Sequence, residues 1–170
     1  MLSRLSTAGL RALNLAGKKV LPIVQGGMGV GVSAHRLAGS VAREGAVGTV
    51  ASVDLRHHHP DLLEQSHRQP KEYIDNLNLI ALDREIKAAR ELSGGNGLIA
   101  VNVMKAVKEH GQLVRQACAS GADAIVIKTG LPLDLPEMTA SHPKVALIPI
   151  LADARGIALL LKKWMRKGRL

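Results

Sequence analysis

Phenylalanine is absent from this 170-residue chain, and tyrosine, tryptophan and cysteine occur once each, as Tyr73, Trp164 and Cys118. A core without aromatics must be filled by Ala, Val, Ile and Leu, and the branched aliphatics favour strands buried on both faces. The same shortage removes the stacking platforms on which single-stranded nucleic acid binders depend. One cysteine excludes a disulfide scaffold and fits a reducing, cytoplasmic setting. No apolar run approaches the roughly 20 residues needed to cross a bilayer, so a membrane protein is not expected.

Acidic residues are missing from both ends. Residues 1–19 hold four cations (Arg4, Arg11, Lys18, Lys19) and residues 154–170 hold six, whereas residues 20–153 carry 13 basic and 14 acidic groups. The net charge of +9 therefore belongs to the termini. A nucleic-acid partner would call for an organised basic stripe within the fold, so that class is set aside. Residues 1–19 read as an N-terminal extension, with a mitochondrial presequence as the less favoured alternative, and residues 20–170 as the folded domain.

What is present is a repeating alternation. Five apolar runs, 20–25, 47–52, 97–103, 123–128 and 145–151, read as strands that are near-continuously apolar rather than alternating. Helical patterns at 33–43, 71–93, 107–120 and 154–167, with a short turn or helix near 134–141, separate or follow them. Ser33 is placed to cap the first helix; Gly45, Gly94 and Gly121 follow helix ends. The pattern predicts an α/β fold of β-α-β units with a parallel sheet. The longest irregular stretch, 53–70, follows a strand and so lies at the C-terminal edge of the sheet, where parallel α/β proteins bind ligands. An open sheet and part of a barrel both remain possible at this point.

The densest local signal is Gln25-Gly26-Gly27-Met28-Gly29-Val30-Gly31-Val32-Ser33. Its glycines permit close backbone approach to a ligand at a helix start. Gly29-x-Gly31-x-x-Ala34 also matches a dinucleotide fingerprint, with Asp54 as the ribose acid; however, Asp54 falls beyond the expected end of its strand. His57-His58-His59 is adjacent in sequence but lacks ligand spacing, so no metal site is expected. His35, His67, His110 and His142 are scattered, Cys118 reads as a small core residue, and no nucleophile, base and orienter stand together, so the catalytic residues are unknown. The closing helix is basic and amphipathic. Leu159, Leu160, Leu161 and Trp164 are expected to face the sheet and the lysines water, rather than a membrane.

Several motifs in fixed order carry a resemblance. PIVQGGMGVGVS (22–33), LAGSVAREGAVGTVASVD (37–54), AVNVM (100–104), IVIKTGLPLDLP (125–136) and LADARGI (151–157) together resemble the nitronate monooxygenases, formerly 2-nitropropane dioxygenases, which are related to the flavin-dependent enoyl-acyl carrier protein reductase II. The resemblance runs from about Lys19 onward. It implies a (β/α)8 TIM barrel, here truncated to about the first five β/α units, with FMN at the C-terminal ends of the strands and oxidation of alkyl nitronates by O2. It also implies that Gly26, Gly27 and Met28 lie against the isoalloxazine ring and that Asn102 hydrogen-bonds the flavin.

Two departures stand out. Lys128-Thr129-Gly130 occupies a place where that family usually has Gly-Ala-Gly, which puts Lys128 beside the expected ring, where a cation stabilises reduced flavin or blocks the pocket. Ala152 stands where a serine is common. The family's proton-abstracting histidine and phosphate-binding loops would lie beyond Leu170, so weak FMN binding is expected of this chain. A non-catalytic half-barrel that pairs with another chain through exposed strand edges is the alternative, as is an open-sheet nucleotide-binding domain.

Overall fold

The structure, a computed structural model, describes residues 9–169. Strands β1 (Leu13–Leu15) and β2 (Lys18–Val20) form an antiparallel hairpin. Ala16 and Gly17 turn it with left-handed backbone, as a two-residue hairpin loop requires. The hairpin takes in residues 13–19 of the expected extension, while residues 1–8 lie outside the described part. Then come α1 (His35–Arg43), β3 (Val47–Ala51), a 3₁₀ turn (Leu55–His58), α2 (Pro60–Gln65) and α3 (Lys71–Ser93). They are followed by β4 (Leu98–Met104), α4 (His110–Ala119), β5 (Ala124–Lys128), α5 (Leu135–Met138), β6 (Ala146–Pro149) and α6 (Ala154–Met165).

The expected strand at 20–25 is divided. Val20 ends the hairpin, and only the stretch around Val24 reaches the sheet, through a parallel pairing with Val47. There Val47 N–H donates to the Ile23 carbonyl at 3.0 Å and Gln25 N–H to the Val47 carbonyl at 2.9 Å. Pro22 explains the break, because it has no N–H to continue a ladder. The stretch 53–70, expected to be irregular, is largely helical: the 3₁₀ turn and α2 lie within it. Pro60 at the start of α2 has the φ that a first helical turn needs.

The four strands β3, β4, β5 and β6 lie side by side in chain order, all parallel. An order without reversal brings each right-handed crossover back over the same face, so the helices collect on one side. A doubly wound nucleotide-binding sheet needs a reversal point, and this sheet has none among its described strands. The architecture is α/β of the TIM-barrel type, present as part of a barrel.

Each strand divides its residues between two apolar layers. Ile99, Val101 and Val103 of β4, with Ile125 and Ile127 of β5, pack under the helices against Ala38, Ala42, Leu82, Ile86, Val114, Leu160 and Trp164. Leu98, Ala100, Ala124 and Val126 face the other way, onto Val47, Val20 and the hairpin residues Leu13 and Leu15. The runs are near-continuously apolar rather than alternating because both faces are covered. Leu160 and Trp164 of α6 are buried as expected, but Leu159 and Leu161 are exposed. On a helix the two lie about 100° to either side of Leu160, so only one of the three can point directly at the sheet.

Gly48 shows how close the helix layer lies. A Cβ there would stand 1.8 Å from the Ala38 carbonyl oxygen of α1. We expect Gly48→Ala to lower the unfolding free energy by about 3 kcal/mol in urea titrations, since the backbone of α1 has to move.

Candidate functional site

Chain direction places the upper ends of β3, β4 and β5 beside the glycine turn, and a cleft of about 360 Å³ opens between them. Its walls include Gly27, Asn102, Met104, Lys128, Asp54 and Asn78. Alternation along the strands determines which side chains arrive there. In the parallel register Asn102 lies opposite Val126 and Met104 opposite Lys128, so Lys128 stands one row above Asn102 on the same face.

Of the five residues expected at a cofactor, Gly27, Asn102 and Lys128 meet at this cleft. Gly26 and Met28 belong to the adjoining turn and do not line it. The Gly26 carbonyl accepts from Ser33 Oγ at 3.1 Å, and Met28 N–H donates to Ser33 Oγ at 2.9 Å, while the Met28 side chain is 45% exposed. Gly27 cannot be anything larger: a Cβ would lie 2.5 Å from Asn102 Cβ.

The turn is held by two polar residues whose roles were not read from the sequence. Ser33 is fully buried and does not cap α1; Ala34 occupies that position. Its hydroxyl instead accepts from Gln25 Nε2 at 2.8 Å and from Met28 N–H, while donating to Gly26. Gln25 Oε1 accepts from Thr49 N–H at 2.9 Å, which ties the turn to β3.

Glu85 is a third residue whose role was not read from the sequence. It lies on α3 and is only 2% exposed. Its Oε2 accepts from the His35 backbone N–H at 2.6 Å and from His35 Nδ1–H at 2.8 Å. Its Oε1 lies 3.1 Å from His59 Nε2, though not aligned as a hydrogen bond. One carboxylate thus joins the start of α1 to the loop after β3. Asn78 is two helical turns earlier on the same face of α3, and its Oδ1 accepts from Arg56 Nη1 at 3.3 Å. Arg56 also pairs with Asp54, so Asp54 is neutralised locally.

The histidine run separates. His58 packs over Gly31, His59 meets Glu85 and His57 is exposed. Among the described residues no three His, Cys, Asp or Glu side chains converge as metal ligands. Cys118 is buried in the helix layer, and burial pushes its thiol up to about 11, which makes it a poor nucleophile at neutral pH. Ala152 borders a shallower cleft past β6, next to Asp153, which caps α6 by accepting from Gly156 N–H at 2.7 Å.

Removing the Glu85 carboxylate leaves two half-buried donors on His35 without their acceptor. Glu85→Ala should lower the unfolding free energy by about 3 kcal/mol. Glu85→Gln, which keeps one oxygen for the backbone N–H, should cost about half as much; thermal melts with urea titration measure both.

No curated protein sequence matches the chain. The family model described as nitronate monooxygenase matches residues 13–166, from the hairpin to the end of α6. With the sequential parallel strands and a ligand-sized cleft at their C-terminal ends, that match settles the family: the chain belongs to the nitronate monooxygenases, a family of flavin-dependent oxidoreductases with a TIM-barrel fold.

Proposed function

We propose that the cleft receives the isoalloxazine ring of FMN and serves the oxidation of alkyl nitronates by O2. The observation that carries this reading is the state of Asn102. It is 7% exposed and lines the cleft, yet its side-chain amide makes no hydrogen bond to any described residue. Buried amides are normally paired, so one that faces an open cleft unpaired is addressed to a ligand. An amide offers donor and acceptor together, which is what the pyrimidine edge of a flavin needs.

The surroundings fit a flat ring. Gly27 presents bare backbone on one side, at a distance no side chain could share. Met104, Val107 and Leu113 add apolar surface to the same cleft, which limits water at the ring. Gln25 and Ser33 keep the glycine turn from relaxing toward the cleft. When bound, FMN would supply the electron acceptor that stands between the nitronate and O2. The chain's own part is to bind, orient and shield the ring. No described residue is assigned as the base that takes a substrate proton.

Asn102→Leu should weaken FMN binding at least tenfold, equivalent to about 1.4 kcal/mol, as measured by quenching of flavin fluorescence. Oxygen uptake with an alkyl nitronate and added FMN tests the reaction. If the wild-type chain leaves FMN fluorescence unchanged at every protein concentration, the reading is wrong.

A second reading, association with another copy, has one observation in its favour. Ile23, Val24 and Ile150 lie at the two outer edges of the sheet with about half of their surface exposed. Open apolar edges favour pairing between chains. Light scattering should return a mass above that of one chain; a stable, soluble monomer would count against this reading.

A further inference from the structure

Arg56, Lys71 and Lys105, near the cleft, are committed to partners, whereas Lys128, the one Lys or Arg among the described residues that line it, is not. Arg56 pairs with Asp54. Lys71 lies 2.7 Å from Asp75 and 3.4 Å from Glu109, the other acid of the cleft wall. Lys105 Nζ lies 2.5 Å from Asp134 Oδ1. Burial acts to raise the Asp134 carboxyl, but the Lys105 hydrogen bond, a backbone hydrogen bond and the nearby charges together hold it below the usual carboxylate range. Both carboxylates of the cleft wall are thus answered by other residues. Lys128 lines the same cleft, is half-buried, and forms neither an ion pair nor a side-chain hydrogen bond with any described residue.

Local backbone geometry fixes where that charge stands. Lys128 is the last residue of β5, and its carbonyl accepts from Lys105 N–H at 2.9 Å, so the strand end is anchored to its neighbour. The chain then turns sharply: Thr129 adopts φ 65°, a conformation that β-branched residues avoid. Gly130 follows at φ 134°. A tight turn directly after Lys128 keeps it at the rim of the cleft, one row above Asn102.

We propose that Lys128 is the group that recognises negative charge on the bound flavin, and that it acts on the ring rather than on the phosphate. The proposal rests on the flavin reading given above. A flavin offers two sources of negative charge: its phosphate, and the N1–C2 carbonyl edge of the ring once two electrons and one proton have been added. Lys128 shares its strand face with Asn102, and Gly27 touches Asn102, so the cation belongs to the end of the cleft that holds the ring. A cation there stabilises the reduced, anionic ring more than the neutral oxidised one and raises the reduction potential.

The test uses the wild-type chain with Lys128→Met, Lys128→Gln and Lys128→Arg, titrated with FMN and with riboflavin, which lacks the phosphate, and their midpoint potentials measured against redox dyes. Both neutral variants should lower the potential of bound FMN by about 30 mV, a tenfold loss of preference for the reduced form in a two-electron couple. Their affinities for FMN and riboflavin should fall by the same factor, and Lys128→Arg should keep both properties near wild type. Two neutral replacements of different polarity guard against an effect of packing at one of them. If the wild type binds flavin and the neutral variants share its potential, the inference is overturned while the flavin reading stands. If they lose FMN affinity but not riboflavin affinity, the cation serves the phosphate and the ring assignment is overturned. Failure of the wild type to bind either flavin overturns both readings together.

Discussion

Three segments far apart in sequence, the start of α1, the loop after β3 and the long helix α3, are held to one another by a single buried carboxylate, that of Glu85. A charge removed from water needs full compensation, and it receives two short hydrogen bonds from His35 and the nearby ring of His59. The first of these is a backbone N–H at the start of α1, one of the donors that a helix cannot satisfy internally. The result reaches the cleft from two sides. His35 follows the glycine turn by two residues, and His59 ends the loop that carries Asp54, so the walls that bear Gly27 and Asp54 are both referred to the same face of α3.

The absence of phenylalanine shapes how the sheet is covered. Both faces are dry, but the two are built from different sizes of side chain. Beneath the helices the strands present Ile99, Val101, Ile125 and Ile127, whereas the opposite face presents Ala100 and Ala124 beside Leu98 and Val126. Small residues suit the concave side of a curved parallel sheet, where side chains from neighbouring strands converge. The hairpin β1–β2 fills the lower part of that side with Leu13, Leu15 and Val20. Polar groups are consequently left to the upper end, at Asn102 and Lys128.

Much of this was legible in the order of residues, and the failures have physical causes. The strands β3, β4 and β5 and the helix α3 stand where apolar runs and 3.6-residue periodicity place them, because both signals are local. Gly27 and Asn102 could be paired from the family motifs, and the close approach of Gly27 to Asn102 gives that pairing its reason. Ser33 was misread because a serine ahead of a helix looks the same whether it caps the helix or locks a turn; the difference lies in Gln25, eight residues earlier. Glu85 left no local sign at all. On an amphipathic helix a glutamate reads as solvated, and only the approach of His35, fifty residues away, reveals it as buried. Pro22 inside an apolar run was the one available warning that the strand from 20 to 25 would divide.

The unpaired state of Asn102 and Lys128 has an energetic meaning beyond recognition. Both line an open cleft, so in the free chain their polar groups face water rather than a protein partner. A ligand that supplies the missing partners takes the place of that water, and mass action then adds its affinity to the stability of the fold. The glycine turn follows the same logic, since Gly27 sacrifices backbone entropy to leave a flat surface that only a ligand can cover. The cleft is therefore the least self-sufficient part of the molecule, as a site that must distinguish occupied from empty has to be.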